Sequence, residues 1–222
     1  MINDFENSLI ENIDNQNDKE KEIISFLLSN GISAEKSKMI TEKLYYKFYN
    51  LYNIVNASKN ELIKIKGLGN KRAELLKSLP KILEYYLLSR LKLSTLHFNK
   101  KDLIDYLIIK FGKLKFEAFS IICLDINKRF ISIEQIFRGT IDSATIYPND
   151  LVEKSLSLGA SYVIISHNHP SGISKPSKED IEITKILYKA FLIVNIKMID
   201  HLIIAGDSIY SFRESGILDD FN

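Results

Sequence analysis

"SYVIISHNHPSGISKPSKED", residues 161–180, passes from an apolar run into a polar cluster. Its opening "SYVIIS" reads as a short strand of the fully buried kind. Directly after it stand two of the chain's four histidines, His167 and His169. On an extended backbone both side chains point to one side and Asn168 to the other. Two imidazoles on one face can chelate a metal. A catalytic zinc takes three protein ligands and keeps one position for water, and two histidines with a carboxylate form such a set. Asp180 is the candidate third ligand, because Ser177 can N-cap the helix that follows and place Asp180 in its first turn, facing back toward the strand end. Pro170, Gly172 and Pro176 give the intervening loop fixed turns. The same residues have a second reading. "SKED", residues 177–180, is also a capping-box variant in which Asp180 stabilises a helix N-terminus with no metal present.

Outward from this stretch, Pro148 opens a helix through "NDLVEKSLSLG" and Gly159 closes it. Upstream, "KFEAFSIICLD", a turn at "INKR" and "FISIEQIFRGT" predict a hairpin, and Asn99 can cap a helix at "KKDLIDYLIIKFG". Downstream come a helix, "KEDIEITKILYKAFLIV", and strands around "IKMIDHLIIAG" and "SIYSFRES". This mixture predicts an α/β domain over residues 97–222. Residues 19–95 read instead as a small all-helical domain. Gly31 stops its first helix, Ser33 caps a second, Ser58 and Glu61 form a capping box, and Asn70 can cap a further helix. Residues 1–18 are expected to be flexible, although Phe5, Leu9, Ile10 and Ile13 have helical spacing.

The 222 residues and 25.5 kDa leave room for two such cores. A net charge of +2 excludes a general nucleic-acid coat, so any basic surface must be local. The single cysteine, Cys123, excludes an internal disulfide, a multi-cysteine zinc knuckle and the H-x-E…P-C-x-x-C site of nucleobase deaminases. The acidic, asparagine-rich start is not a secretory signal, and no apolar run is long enough for a bilayer, so a cytoplasmic protein without a membrane partner is the expectation.

The spacing H-x-H, seven residues, S, two residues, D, here His167, His169, Ser177 and Asp180, resembles the signature of the JAMM (JAB/MPN) zinc metalloproteins. "IFRGTIDSATIYPNDLVEKSLSLGASYVIISHNHPSG", "MIDHLIIAGDSIYSF" and "IKGLGNKRAELL" resemble the bacterial RadC family over about residues 20–215. The resemblance implies a mixed sheet with flanking helices and one Zn2+ per chain on His167, His169 and Asp180, with water in the fourth position. It implies hydrolysis of an amide or isopeptide bond in a peptide or protein. Glu117 matches the family's general acid/base, and Ser177 its oxyanion donor. Glu117 also draws attention by itself, as a carboxylate at the start of an apolar strand. His201 reads as a satisfied core histidine without a ligand role, and Asp200 as a candidate partner for a ligand histidine. The letters "HNH" invite a nuclease reading, but such nucleases spread those residues along a ββα unit.

"IKGLGNKRA", residues 65–73, resembles the hairpin of a helix-hairpin-helix module. There Gly67 and Gly69 would let backbone N–H groups approach a phosphate without reading sequence, with Lys71 and Arg72 beside them. Lys59, Lys64, Lys66, Lys77 and Lys81 extend a local basic patch. The alternative function is accordingly a DNA-associated repair or recombination factor whose zinc site is structural or accessory.

Overall fold

The computed structural model describes residues 17–93, 99–139 and 147–221. The chain divides into two compact units, Met1–Ile82 and Leu83–Asn222. Residues 1–16, expected above to be flexible, and residues 94–98, where the expected domain boundary falls, lie outside the described residues.

The first unit is all-helical. It contains α1 (residues 17–28), α2 (Ala34–Phe48), α3 (Leu51–Asn56), α4 (Lys59–Leu62) and the start of α5 (Gly69–Leu93). Helix α1 already includes Asn17 and Asp18, which were expected to be flexible. Local chemistry starts these helices as expected: the Ser33 side chain accepts from the Lys36 N–H, and Ser58 and Glu61 form a complete capping box. Asn70 is not a cap, because α5 begins at Gly69 and takes Asn70 into its first turn. Ile24, Leu28, Leu44, Ile54, Leu62, Leu68 and Leu76 close the core. Gly67 turns the chain at φ 99°, where a Cβ would also press on Ile40 at 3.3 Å.

The division between units falls inside α5, at Ile82/Leu83, and not at residues 95–97 as expected. The cause is hydrophobic: Leu87 and Leu91 of α5 are buried with Leu103, Tyr106 and Leu107 of α6 (Lys100–Phe111). The last turns of the helix therefore belong to the second core.

That core surrounds a five-stranded sheet in the order β2-β1-β3-β4-β5. Strands β1 (Glu117–Leu124) and β2 (Phe130–Gly139) form the expected hairpin, its turn held by the Asp125 carboxylate accepting from the N–H groups of Asn127 and Arg129. Helix α7 (Pro148–Ser157) precedes β3 (Tyr162–Asn168), which pairs antiparallel to β1 and parallel to β4 (Lys197–Ala205). Helix α8 (Lys178–Ile193) makes the crossover between the parallel strands, β5 (Ser208–Ser211) pairs antiparallel to β4, and a 3-10 turn follows at Ile217–Phe221.

Alternation along the strands feeds two apolar layers. Phe119, Ile121, Val163 and Ile165 pack with Leu151 of α7 and Ile183, Leu187 and Phe191 of α8. Ala118, Ile122, Ile164 and Leu202 pack with α6 and the end of α5. The architecture is the expected mixed α/β sheet with flanking helices, accompanied by an all-helical N-terminal unit. Among the described residues no helix is long and apolar enough to cross a membrane.

Candidate metal centre

Strand β3 ends where α8 must be reached, at the carboxyl edge of a parallel pair, a position at which open sheets collect ligands. His167 lies on the α8 side of the sheet, 1% exposed and stacked on Phe119 with ring centroids 5.9 Å apart. His169, one residue past the strand, is only partly buried. Its Nδ1 donates to the Ile173 carbonyl at 2.8 Å, through a loop that Gly172 turns at φ 78°. A carbonyl only accepts, so Nδ1 carries the proton and Nε2 of the neutral ring presents a lone pair to the site.

Asp180 completes the group. It is the third residue of α8, 5% exposed, with Oδ1 3.1 Å from His167 Nε2 and Oδ2 3.3 Å from His169 Nε2. Oδ2 also accepts from the backbone N–H of Ser177 at 2.7 Å and from its hydroxyl at 2.6 Å, while the Asp180 N–H donates back to Ser177 Oγ at 3.0 Å. The two readings of "SKED" are therefore compatible: a full capping box leaves the carboxylate facing both imidazoles. Burial alone would raise the Asp180 carboxyl, but the imidazoles of His167 and His169 that face it, able to carry a proton on Nε2 in metal-free protein, and the Ser177 hydroxyl outweigh it and hold the group well below the usual carboxylate range. His169 is shifted upward, first by its hydrogen bond to Asp180, against burial, and further by the Ile173 carbonyl and the charges of Asp180 and Glu117.

These residues fit a zinc ion. Their donor atoms lie within 4.8 Å of one another, and His167 Nε2 and His169 Nε2 are 2.9 Å apart. A tetrahedral ion with bonds of about 2.0–2.1 Å needs donor separations of about 3.3 Å, close to the 2.9, 3.1 and 3.3 Å spacings between the imidazole nitrogens and the carboxylate oxygens. Two nitrogens and one anionic oxygen, brought together beside an apolar layer, are a zinc-type donor set.

Glu117 is positioned by strand pairing. The β1–β3 ladder runs to Phe119 opposite His167. Asn168 then replaces it: its Oδ1 accepts from the Ala118 N–H at 2.8 Å and its Nδ2 donates to the Phe116 carbonyl at 3.0 Å. The amide thus grips the backbone on both sides of Glu117. Alternation puts the Glu117 side chain on the same face as Phe119 and His167, and its charge is among those felt by His169.

A family model described as a RadC-like JAB domain matches residues 98–217. The chain belongs to that family. A UPF0758 protein of Methylibium petroleiphilum is 34% identical over 89% of both chains. Similar proteins of Pseudoalteromonas translucida and Shewanella sp. are 33% and 32% identical, covering 89% and 88% of this chain and 88% and 87% of their own.

In this RadC-like chain His201 is the satisfied core histidine expected, outside the metal-capable group, and its partners tie it to that group. Its Nε2 lies 2.8 Å from His167 Nδ1 and its Nδ1 lies 2.7 Å from Thr184 Oγ1, whose hydroxyl donates to the Asp180 carbonyl. Complete burial, with His167 alongside, lowers the His201 pKa well below its ordinary value and keeps the ring neutral. The partner of the ligand-type histidine is thus His201 and not Asp200. Asp200 instead accepts from the His201 and Arg213 N–H groups and the Ser211 hydroxyl, and pairs with Lys100 at 3.5 Å.

Away from this centre, in the helical unit, Gly67 and Gly69 both have positive φ and Lys71 is exposed. Arg72 differs from its expected role. Its Nε and Nη2 donate to the carbonyls of Leu28 and Asn30, each at 2.7 Å. The guanidinium satisfies the carbonyls that the end of α1 leaves open.

No local signal gave the partners of Asn168 and His201, which are distant in sequence. Thr184 stands one helical turn beyond Asp180, a spacing that signals a shared face.

Proposed function

We propose that this chain is a zinc-dependent hydrolase acting on an amide or isopeptide bond of a peptide or protein. The observation that carries the reading is the convergence of His167 Nε2, His169 Nε2 and the Asp180 carboxylate on one point, with Glu117 held on the same face. His167, His169 and Asp180 would hold the ion. When bound, zinc supplies Lewis acidity to the scissile carbonyl and lowers the pKa of a water beside it.

The chain's residues do the rest. Glu117 takes a proton from the attacking water as its oxygen bonds to the carbonyl carbon, then delivers that proton to the amide nitrogen as the C–N bond breaks. Asn168 fixes the backbone from which Glu117 reaches. Ser177 can donate to the developing oxyanion only by turning its hydroxyl away from Asp180, so its resting part is to orient that carboxylate.

The test is Glu117→Gln on purified full-length protein, with metal content by mass spectrometry and a panel of peptide and isopeptide substrates. Zinc should remain at wild-type stoichiometry while hydrolysis falls by about 10²-fold or more. Loss of zinc in this variant would make Glu117 structural and remove the mechanism. A partner role for DNA rests on a separate observation, the Gly67–Gly69 turn flanked by exposed Lys64, Lys66 and Lys71. It supports non-sequence-specific phosphate contact by the helical unit.

A further inference from the structure

We infer that Thr184 and His201 are positioning residues that set the tautomer of His167, so that its lone pair faces the metal position. The inference rests on the zinc reading above for its purpose, but the proton arrangement follows from the geometry alone.

Proton directions can be assigned in sequence from one end. The Asp180 backbone carbonyl can only accept, so the Thr184 hydroxyl spends its hydrogen there. Thr184 Oγ1 must then accept at its other contact, which places a hydrogen on His201 Nδ1. A neutral His201, enclosed between Phe119 and Phe212, then has a bare Nε2. That atom accepts from His167 Nδ1, so in the neutral His167 ring the remaining nitrogen, Nε2, on the side of Asp180 and His169, is the one whose lone pair a metal would take. The chain of hydrogen bonds begins at the main chain of Asp180 and ends facing the side chain of Asp180. Helix α8 thus supplies one ligand directly and orients another through two intermediaries.

The arrangement gives Thr184 a specific requirement, an oxygen that both accepts and donates. Thr184→Val keeps the shape and removes that oxygen. His201 Nδ1–H then has no acceptor, and the ring gains by moving its proton to Nε2, where it donates to His167 Nδ1. His167 would respond by carrying its proton on Nε2, the atom needed for the metal. Thr184→Ser restores the hydroxyl and should restore the original arrangement.

Two measurements on full-length protein test this. Long-range ¹H–¹⁵N NMR on histidine-labelled, metal-free protein reads which His201 nitrogen is protonated. Competition titration with a chelator reads affinity for zinc alone. Wild type and Thr184→Ser should show Nδ1–H on His201, whereas Thr184→Val should show Nε2–H and bind zinc about 10–100-fold more weakly. Nε2–H on His201 in the wild type overturns the inference, as does a Thr184→Val protein with wild-type zinc affinity. If Thr184→Val does not fold, the wild-type spectrum still decides. If the wild type takes up no zinc, the proposed function fails, while the His201 tautomer separately upholds or overturns the relay.

Discussion

Removing the Asn168 amide should damage the second unit in a way that separates metal binding from the alignment of Glu117. The side chain is 1% exposed and makes two hydrogen bonds to β1, at 2.8 and 3.0 Å. Asn168→Ala leaves the Ala118 N–H and the Phe116 carbonyl without these partners. Each orphaned group costs about 1–3 kcal/mol, and a water entering the vacated space recovers part of that, so the expected loss is about 2–4 kcal/mol. Since the chain has no tryptophan, urea unfolding followed by far-UV circular dichroism is the suitable assay. The ligand-type residues are untouched, so zinc affinity should stay within a few-fold of wild type while hydrolysis falls as Glu117 loses its fixed backbone. Asn168→Asp is the internal control. It keeps the acceptor for Ala118 but sets a second oxygen against the Phe116 carbonyl, which raises the new carboxyl's pKa. Its destabilisation should therefore be full above the raised folded pKa and shrink as pH falls toward the unfolded value of about 4, where the group is protonated and regains a donor. A loss below about 1 kcal/mol for Asn168→Ala, or no pH dependence for Asn168→Asp, would refute the clamp.

Three further outcomes are expected. Ser177→Ala should cost about 1 kcal/mol through the lost helix cap and weaken zinc binding, while Thr at the same position retains most of both, as read by thermal unfolding and chelator competition. In metal-free protein the His169–Asp180 pair should stabilise most between about pH 4 and 6.5. The depressed Asp180 contribution is present above the unfolded carboxyl pKa and fades as pH falls toward its folded value, and the raised His169 contribution is full below the unfolded imidazole pKa and is lost as pH rises through its folded value. Zinc, which displaces the His169 proton, should accordingly raise Tm more at pH 8 than at pH 5.5, and an equal rise at both would count against the site. Finally, Arg72→Ala should destabilise the helical unit by about 1–3 kcal/mol, whereas Lys71→Glu should leave stability intact and weaken binding to duplex DNA with a shallower salt slope. Equal DNA affinity for Lys71→Glu and wild type removes the hairpin contact.

The contrast between Arg72 and Asp180 explains which parts of this molecule were legible in the sequence. Helix starts at Ser33, Asn99 and Ser177, the β1–β2 hairpin and the spacing of His167, His169 and Asp180 are local signals, each decided within a few residues or one loop, and the structure reproduces those elements. Arg72 was misread because its value lies in a contact 42–44 residues away, on the open end of α1, where no local pattern points. Asn168 and His201 were invisible for the same reason, with partners 50–52 and 34 residues distant. The division of the compact units inside α5 was not legible, because helix periodicity continues through α5 while its buried partners change.

Placing the carboxylate at the third position of α8 has its own physical logic. The capping box holds Asp180 in one rotamer, and the positive end of the helix favours its charged form, the form a cation needs. Helix α8 therefore prepares one proposed ligand and, through Thr184 and then His201 of β4, turns a second. The remaining one, His169, is oriented independently by the Ile173 carbonyl in the loop. Metal affinity should then depend on two separable supports, helix and loop. Substitutions in Thr184 and in the Gly172 turn should each weaken zinc binding, and because the histidines they act on lie 2.9 Å apart and both face Asp180, the double substitution should depart from additivity in chelator competition.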